Sequence, residues 1–251
     1  MRIISDSYVM FKRSMKISLR NPDAIAMAII VPAFVMWLFG TVFGNITDVG
    51  YDNYINFIVP GIILQAVCQA TTAAAITVNN DINKGIIDRF RSMPISKSAV
   101  LIGHVLASVA RNTLTAAIII GVAFIIGFRP EAFVADWLLI AAILILFMLA
   151  ITWLAVICGL VAKTPESAGS MMGPLFILPF LSSGFAPTET MTGAVRWFAE
   201  NQPMTPIINS TRALMLNTPT ENALPLSLIW SVGIIIIAFA VAVQVYKRKL
   251  A

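Results

Sequence analysis

The chain has 251 residues, 59% of them hydrophobic and only 12% charged, with a formal net charge of +5 and a mean hydropathy of +0.88. A soluble domain of this length needs far less apolar material for one core, so the composition excludes a soluble globular protein and reads as an integral membrane protein.

The first 22 residues place Ile4, Tyr8, Phe11, Met15 and Leu19 on one face of a helix at 100° per residue, and Arg13, Lys16 and Arg20 on the other. That pattern predicts an amphipathic helix lying in the headgroup plane with its bases toward anionic lipid. The alternative is a basic tail that merely obeys the rule for inner-face charge. Asn21-Pro22 ends the segment, because the residue before proline disfavours helix. Charges at Arg2, Asp6 and Lys12 leave no apolar stretch of the kind a cleavable signal needs, so the N-terminus is expected to persist.

Apolar runs follow near 24–44, 55–78, 103–127, 137–161, 168–187 and 226–246. A helix needs roughly 20 residues to cross a hydrocarbon layer of about 30 Å. None of the runs alternates as a barrel strand does. The expectation is an all-α integral membrane protein with six spanning helices, residues 23–251 forming one transmembrane domain. Cys68 and Cys158 fall inside these runs as small packing residues and point to neither a disulfide framework nor a metal.

Between the second and third runs lies NNDINKGIIDRFRSMPISKSAV, Asn79 to Val100. Its periodicity puts Ile82, Ile86, Phe90 and Met93 on one face and Asp81, Lys84, Asp88 and Arg91 on the opposite one, with Lys84 and Asp88 at i,i+4. Pro94 stops the pattern. A short helix parallel to the membrane is predicted, either docked on a partner or simply solvated. Further on, His104 and Arg111 are ionisable residues at the start of the third run. Such residues are functional candidates by default, unless they snorkel to the cytoplasmic interface.

Segment-by-segment charge fixes an orientation. Five Lys or Arg precede the first span, four lie between Asn79 and Ala99, Lys163 sits in the 162–167 turn, and Lys247, Arg248 and Lys249 end the chain. The alternate segments hold only Arg129, Arg196 and Arg212. Thirteen bases against three place both termini in the cytoplasm. The dispersed bases form no single patch, so nucleic acid is not an expected partner.

Enzymatic chemistry finds no support. His104 is the single histidine, the spans carry no paired carboxylates, and no Gly-x-Ser-x-Gly elbow occurs. No Walker A motif is present either, so any ATP chemistry must come from another chain.

An ordered set of motifs then resembles the permease subunits of type 2 ABC exporters, the daunorubicin-resistance-type permeases most closely. It comprises Arg20-Asn21-Pro22, Asn56-Phe57-Ile58-Val59-Pro60-Gly61, the loop with Gly85, Asp88-Arg89-Phe90, Pro94 and Ser96-Lys97-Ser98, Gly103-His104-Val105-Leu106, Ser182-Ser183-Gly184-Phe185-Ala186-Pro187, and Pro206 with Thr211-Arg212-Ala213-Leu214. Asn83-Lys84 departs from the family, which often has Glu and a bulky residue there. The resemblance implies that the loop helix is a coupling helix docking on a separate ATP-binding subunit, which holds ATP and Mg. Lys84, Gly85, Asp88, Arg89, Phe90, Arg91 and Pro94 are its candidate contacts, and this chain needs no cofactor or metal of its own. It further implies short extracellular re-entrant helices between Pro187 and Pro225, where Glu189, Glu200 and Arg212 line or gate an exit path. Without re-entry the same stretch is an interfacial loop anchored by Trp197 and Phe198.

The function implied is export of an amphiphilic drug, a lipid or a lipid-linked substrate by a homodimer or a heterodimer of permeases in the bilayer. The competing function is a secondary transporter or channel subunit without an ATPase. Such carriers usually show repeated halves or charge near the midplane, neither of which is evident here.

Overall fold

A computed structural model of the chain describes residues 11–15, 22–44, 53–84 and 97–249, with side chains from 26 onward in the first long helix and from 101 onward in the third. The face residues Ile4, Tyr8, Lys16, Leu19 and Arg20, and the loop residues Gly85 to Ser96, lie outside the described residues.

Among the described residues every regular element is a helix. Residues 11–15 are helical. The long helices are α1 (Pro22–Phe43), α2 (Tyr54–Asn83), α3 (Lys97–Ile126) and α4 (Val134–Val161). Two short helices follow, α5 (Pro165–Ser170) and α6 (Gly173–Ile177), then a 3₁₀ turn (Thr188–Thr190), α7 (Gly193–Asn201), α8 (Met204–Met215) and the long α9 (Ala223–Lys249). Five of these, α1 to α4 and α9, are long and apolar enough to cross a membrane. The all-helical membrane fold expected from composition is therefore present.

Local chemistry starts and stops these helices. The Asn53 side chain caps α2 by accepting from the Ile55 amide at 2.9 Å. Asp136 accepts from the Phe133 amide at 2.8 Å at the start of α4. Thr164 and Ser167 bond reciprocally around Pro165 to open α5. Lys247, Arg248 and Lys249 sit in the last turn of α9, where cations suit the helix dipole.

α2 is the axis of the bundle. It packs against α1, α3, α4, α5, α6 and α8, while α9 packs on α4 and α8. Its middle turns, Phe57 to Cys68, are buried and form the main core with Ile143, Phe147, Ile207 and Ile208. Two glycines allow the closest approaches. A Cβ on Gly61 would stand 2.7 Å from the backbone of Gly184, and one on Gly159 would stand 2.5 Å from the Ala75 carbonyl oxygen. α1 and α9 instead expose Ile30, Phe34, Trp37, Ile229, Ile236 and Ile237, the surface a helix presents to lipid or to another apolar face.

Two features differ from the sequence expectation. The run near 168–187 is not one continuous helix. Pro174 and Pro179 each lack an amide hydrogen, and the chain passes from α5 to α6 and then through turns from 178 to 185. This broken stretch nevertheless runs the length of α2. Its start follows Ala162 and Lys163, whose carbonyls accept from Asn79 and Asn83. Its end brings the Phe185 carbonyl to the Tyr54 hydroxyl at 2.8 Å. Asn83 and Gly61 are 22 residues apart on α2, about 33 Å at 1.5 Å per residue.

The second difference is that α2 continues to Asn83 and α3 begins at Lys97. Asp81 and Ile82 thus belong to the end of a long helix and not to a separate loop helix. No proline or glycine interrupts the sequence between Gly61 and Gly85, and the polar side chains of this last turn find partners inside the bundle.

Candidate functional site

The last turn of α2 carries Asn79, Asp81 and Asn83. Positions 79 and 83 share a face, while 81 points the other way. On the first face, Asn79 Nδ2 donates to the carbonyls of Gly159 at 3.1 Å and Ala162 at 2.7 Å, the end of α4. Asn83 Nδ2 donates to Asn79 Oδ1 at 2.8 Å and to the Lys163 carbonyl at 3.3 Å.

On the other face Asp81, only 4% exposed, meets two elements at once. Arg13 of the segment 11–15 donates through Nη1 to Oδ2 at 2.7 Å and through Nη2 to Oδ1 at 2.9 Å, the two-pronged geometry a guanidinium favours. His104 of α3 places Nε2 3.1 Å from Asp81 Oδ2. An ionised carboxylate only accepts, so Nε2 carries the hydrogen in this contact. The other ring nitrogen, Nδ1, faces the buried Ser14 hydroxyl at 3.4 Å. Hydrogen bonding to Asp81 raises the Arg13 pKa above its ordinary value, partly offset by burial.

These contacts revise two sequence readings. Arg13 does not point to lipid headgroups, because a buried carboxylate offers it two short charge-assisted bonds. Asp81 is not on a solvated face, for the same reason. Of the loop residues, Lys84 is exposed in the turn that ends α2. Gly85, Asp88, Arg89, Phe90, Arg91 and Pro94 fall outside the described residues.

Arg111 sits at the midpoint of α3 and does not reach toward either end of the helix. Its Nη2 donates across to the Ala70 carbonyl of α2 at 3.1 Å and contacts Ser108 Oγ at 3.4 Å. Beside it, Asn112 Nδ2 donates to Thr71 Oγ1 at 2.7 Å, and Thr152 Oγ1 lies 3.3 Å from Ser108 Oγ. Polar side chains therefore cross-link α2, α3 and α4 at mid-depth, where each unsatisfied group would be costly.

At the far end of the bundle the sequence candidates Glu189, Glu200 and Arg212 come together around one cavity of about 660 Å³. Glu189 stands on the 3₁₀ turn, Glu200 on α7 and Arg212 on α8, and Glu221 and Trp230 also line the cavity. Glu200 pairs with Arg196 at 2.8 Å in an exposed i,i+4 contact. Hydrogen bonding to Glu200 is also the main cause of the raised Arg196 pKa.

Arg212 is only 5% exposed and turns into the protein. Its Nε donates to the Phe57 carbonyl at 3.0 Å, Nη1 to Asn209 Oδ1 at 2.9 Å and Nη2 to the Ser183 carbonyl. Its guanidinium carbon stands 3.8 Å from the centre of the Phe57 ring. Arg212 thus lines the cavity and at the same time ties α8 to α2 and to the end of the broken stretch.

The sequence reading found Glu189, Glu200, Arg212, His104 and Arg111 but missed the roles of Asn79, Asp81 and Asn83. A run of Asn, Asp and Asn closing the mainly apolar stretch 55–78 was the available signal, since such groups persist at a helix end only when solvated or paired.

A bundle of long apolar helices with polar cross-links and an ion-pair cluster at one end is the architecture of a multi-pass membrane protein. The chain belongs to the ABC-2 type transporter family, whose profile it matches over residues 6–216. It is 30% identical over 228 residues to the daunorubicin resistance ABC transporter permease protein DrrB1 of Streptomyces coeruleorubidus, covering 90% of this chain and 79% of that one. It is 25% identical over 223 residues to the probable doxorubicin resistance ABC transporter permease protein DrrC of Mycobacterium tuberculosis strain CDC 1551 / Oshkosh, covering 88% and 80%. The DrrC of strain H37Rv matches to the same extent.

Proposed function

We propose that this chain is the membrane-spanning permease subunit of a drug exporter driven by ATP hydrolysis on a separate subunit. The observation that carries this reading is the family match over 6–216 together with the similarity to drug-resistance permeases along nine-tenths of the chain. ATP and Mg²⁺ are bound by the partner. The work of this chain is to present the drug alternately to the two sides of the membrane.

Six crossings follow if the broken stretch counts as the fifth. It runs the length of α2, from the Asn83 end to the Tyr54 end, and an even number of crossings returns both basic termini to the inner face. The Asn83 end of α2 then faces the cytoplasm, and the segment that follows it is the part that meets the ATP-binding subunit, with Lys84, Asp88, Arg89 and Arg91 as its contacts. The cavity at the opposite end, between Glu189, Glu200 and Arg212, is the exit. Two permease chains, identical or paired, assemble with two ATP-binding subunits.

The substrate is an amphiphilic drug. A tagged chain purified from its own membranes should bring with it, in equal amount, a Walker-A-bearing chain whose ATP hydrolysis doxorubicin stimulates. A purified chain that moves doxorubicin across liposomes on a proton gradient, with no ATPase present, would overturn the proposal.

A further inference from the structure

We infer that Asp81 is the positioning residue that distributes a push arriving at the Asn83 end of α2 into the bundle. The inference rests on the proposed function, since it supposes that a partner pushes on that end.

Asp81 lies in the last turn of α2, which ends at Asn83. From that point the structure shows three connections. Arg13 ties the segment 11–15, His104 ties α3, and on the reverse face of the same turn Asn79 and Asn83 tie the junction of α4 and α5. α3 is the next helix among the described residues. A push delivered between Asn83 and Lys97 would splay the two helix ends unless something held them together, and the Asp81–His104 contact does so.

Stability alone is a poor explanation for the cluster. Apolar packing already joins these helices through Val78, Leu101, Val105 and Tyr246. Exchanging a buried ion pair for apolar residues of similar volume is often neutral or stabilising. What the cluster adds is orientation. Two parallel bonds from one guanidinium fix the angle of 11–15 on α2, and the imidazole fixes α3 from the other side.

The test uses the complete complex in proteoliposomes, with doxorubicin as the probe, and reads drug moved per ATP hydrolysed. Asp81→Asn and Arg13→Gln should each leave basal ATP hydrolysis within about two-fold and lower the transport ratio about ten-fold. The double variant should lose no more than Asp81→Asn alone, because both changes remove one shared contact. Arg13→Gln alters the more exposed member and serves where Asp81→Asn fails to fold. Unchanged ratios in an unmodified complex that transports would overturn this inference while leaving the proposed function standing. So would losses that multiply in the double variant, or that only track the amount of assembled complex. Failure of the unmodified complex to couple ATP to transport would overturn both.

Discussion

Arg212 stacks on the ring of Phe57 at 3.8 Å and donates to the same residue's carbonyl at 3.0 Å. One side chain therefore locks α8 to α2 by two different interactions, while its remaining nitrogens hold Asn209 and Ser183. Arg212→Lys keeps the charge but loses the fork and its stacking. It should lower the stability of the purified chain by roughly 1–2 kcal/mol, and Arg212→Ala by about 3 kcal/mol, since the acceptors are left without a donor. Thermal unfolding followed by size-exclusion chromatography checks this. An Arg212→Ala chain that melts like the parent would place Arg212 in the drug path and not in the scaffold.

Gly61 and Gly121 give a contrast within one fold. A methyl group at Gly61 collides with the Gly184 backbone, which cannot swing aside as a flexible side chain can, whereas one at Gly121 meets nothing within 4 Å. Gly61→Ala should cost roughly 1–3 kcal/mol. Gly121→Ala should be neutral or gain up to about 1 kcal/mol, because alanine is the better helix former. The comparison is again a melting temperature, and equal values for the two would refute the close packing of α2 on the broken stretch.

The proposed orientation, with six crossings and both termini inside, can be tested by labelling. Single cysteines at Asp48 and Glu189, in a background lacking Cys68 and Cys158, should react with an impermeant maleimide added to intact cells. Those at Lys84 and Lys249 should react only after the membrane is opened. Labelling of Lys84→Cys from outside would invert the topology, and labelling of Glu189→Cys only from inside would remove the fifth crossing.

Asp88 is the acidic residue of the loop assigned to the partner. Asp88→Lys in a chain that still inserts should weaken retention of the ATP-binding subunit by about 2–5 kcal/mol if the carboxylate is buried and paired across that interface. Co-purification at graded salt measures it. Full retention and an unaltered transport rate would show the loop face to be solvated.

Much of the fold was legible because crossing a bilayer requires about 20 apolar residues in a row, and such runs stand out in a sequence. What the sequence hid was long-range pairing. Arg13 and Asp81 are 68 residues apart, and periodicity assigned Arg13 to the lipid headgroups and Asp81 to the outward face of a loop helix because neither position announces the other. The ends of α2 and α3 were misjudged because hydropathy falls at Asn79, whereas the helix continues until its polar side chains run out of partners at Asn83. The break near 168–187 was legible in Pro174 and Pro179, but hydropathy is blind to a missing amide hydrogen. The cavity residues were found, yet Arg212 turned inward, since a buried cation is drawn to the nearest carbonyls.

Transport by this chain is proposed to be driven by ATP hydrolysed on another subunit. Inside-out membrane vesicles carrying both chains should accumulate doxorubicin when ATP and Mg²⁺ are added. Uptake should stop when the partner's Walker A lysine is replaced, and should persist when ionophores collapse the ion gradients. Uptake that survives loss of the Walker lysine and disappears with the ionophores would contradict the account.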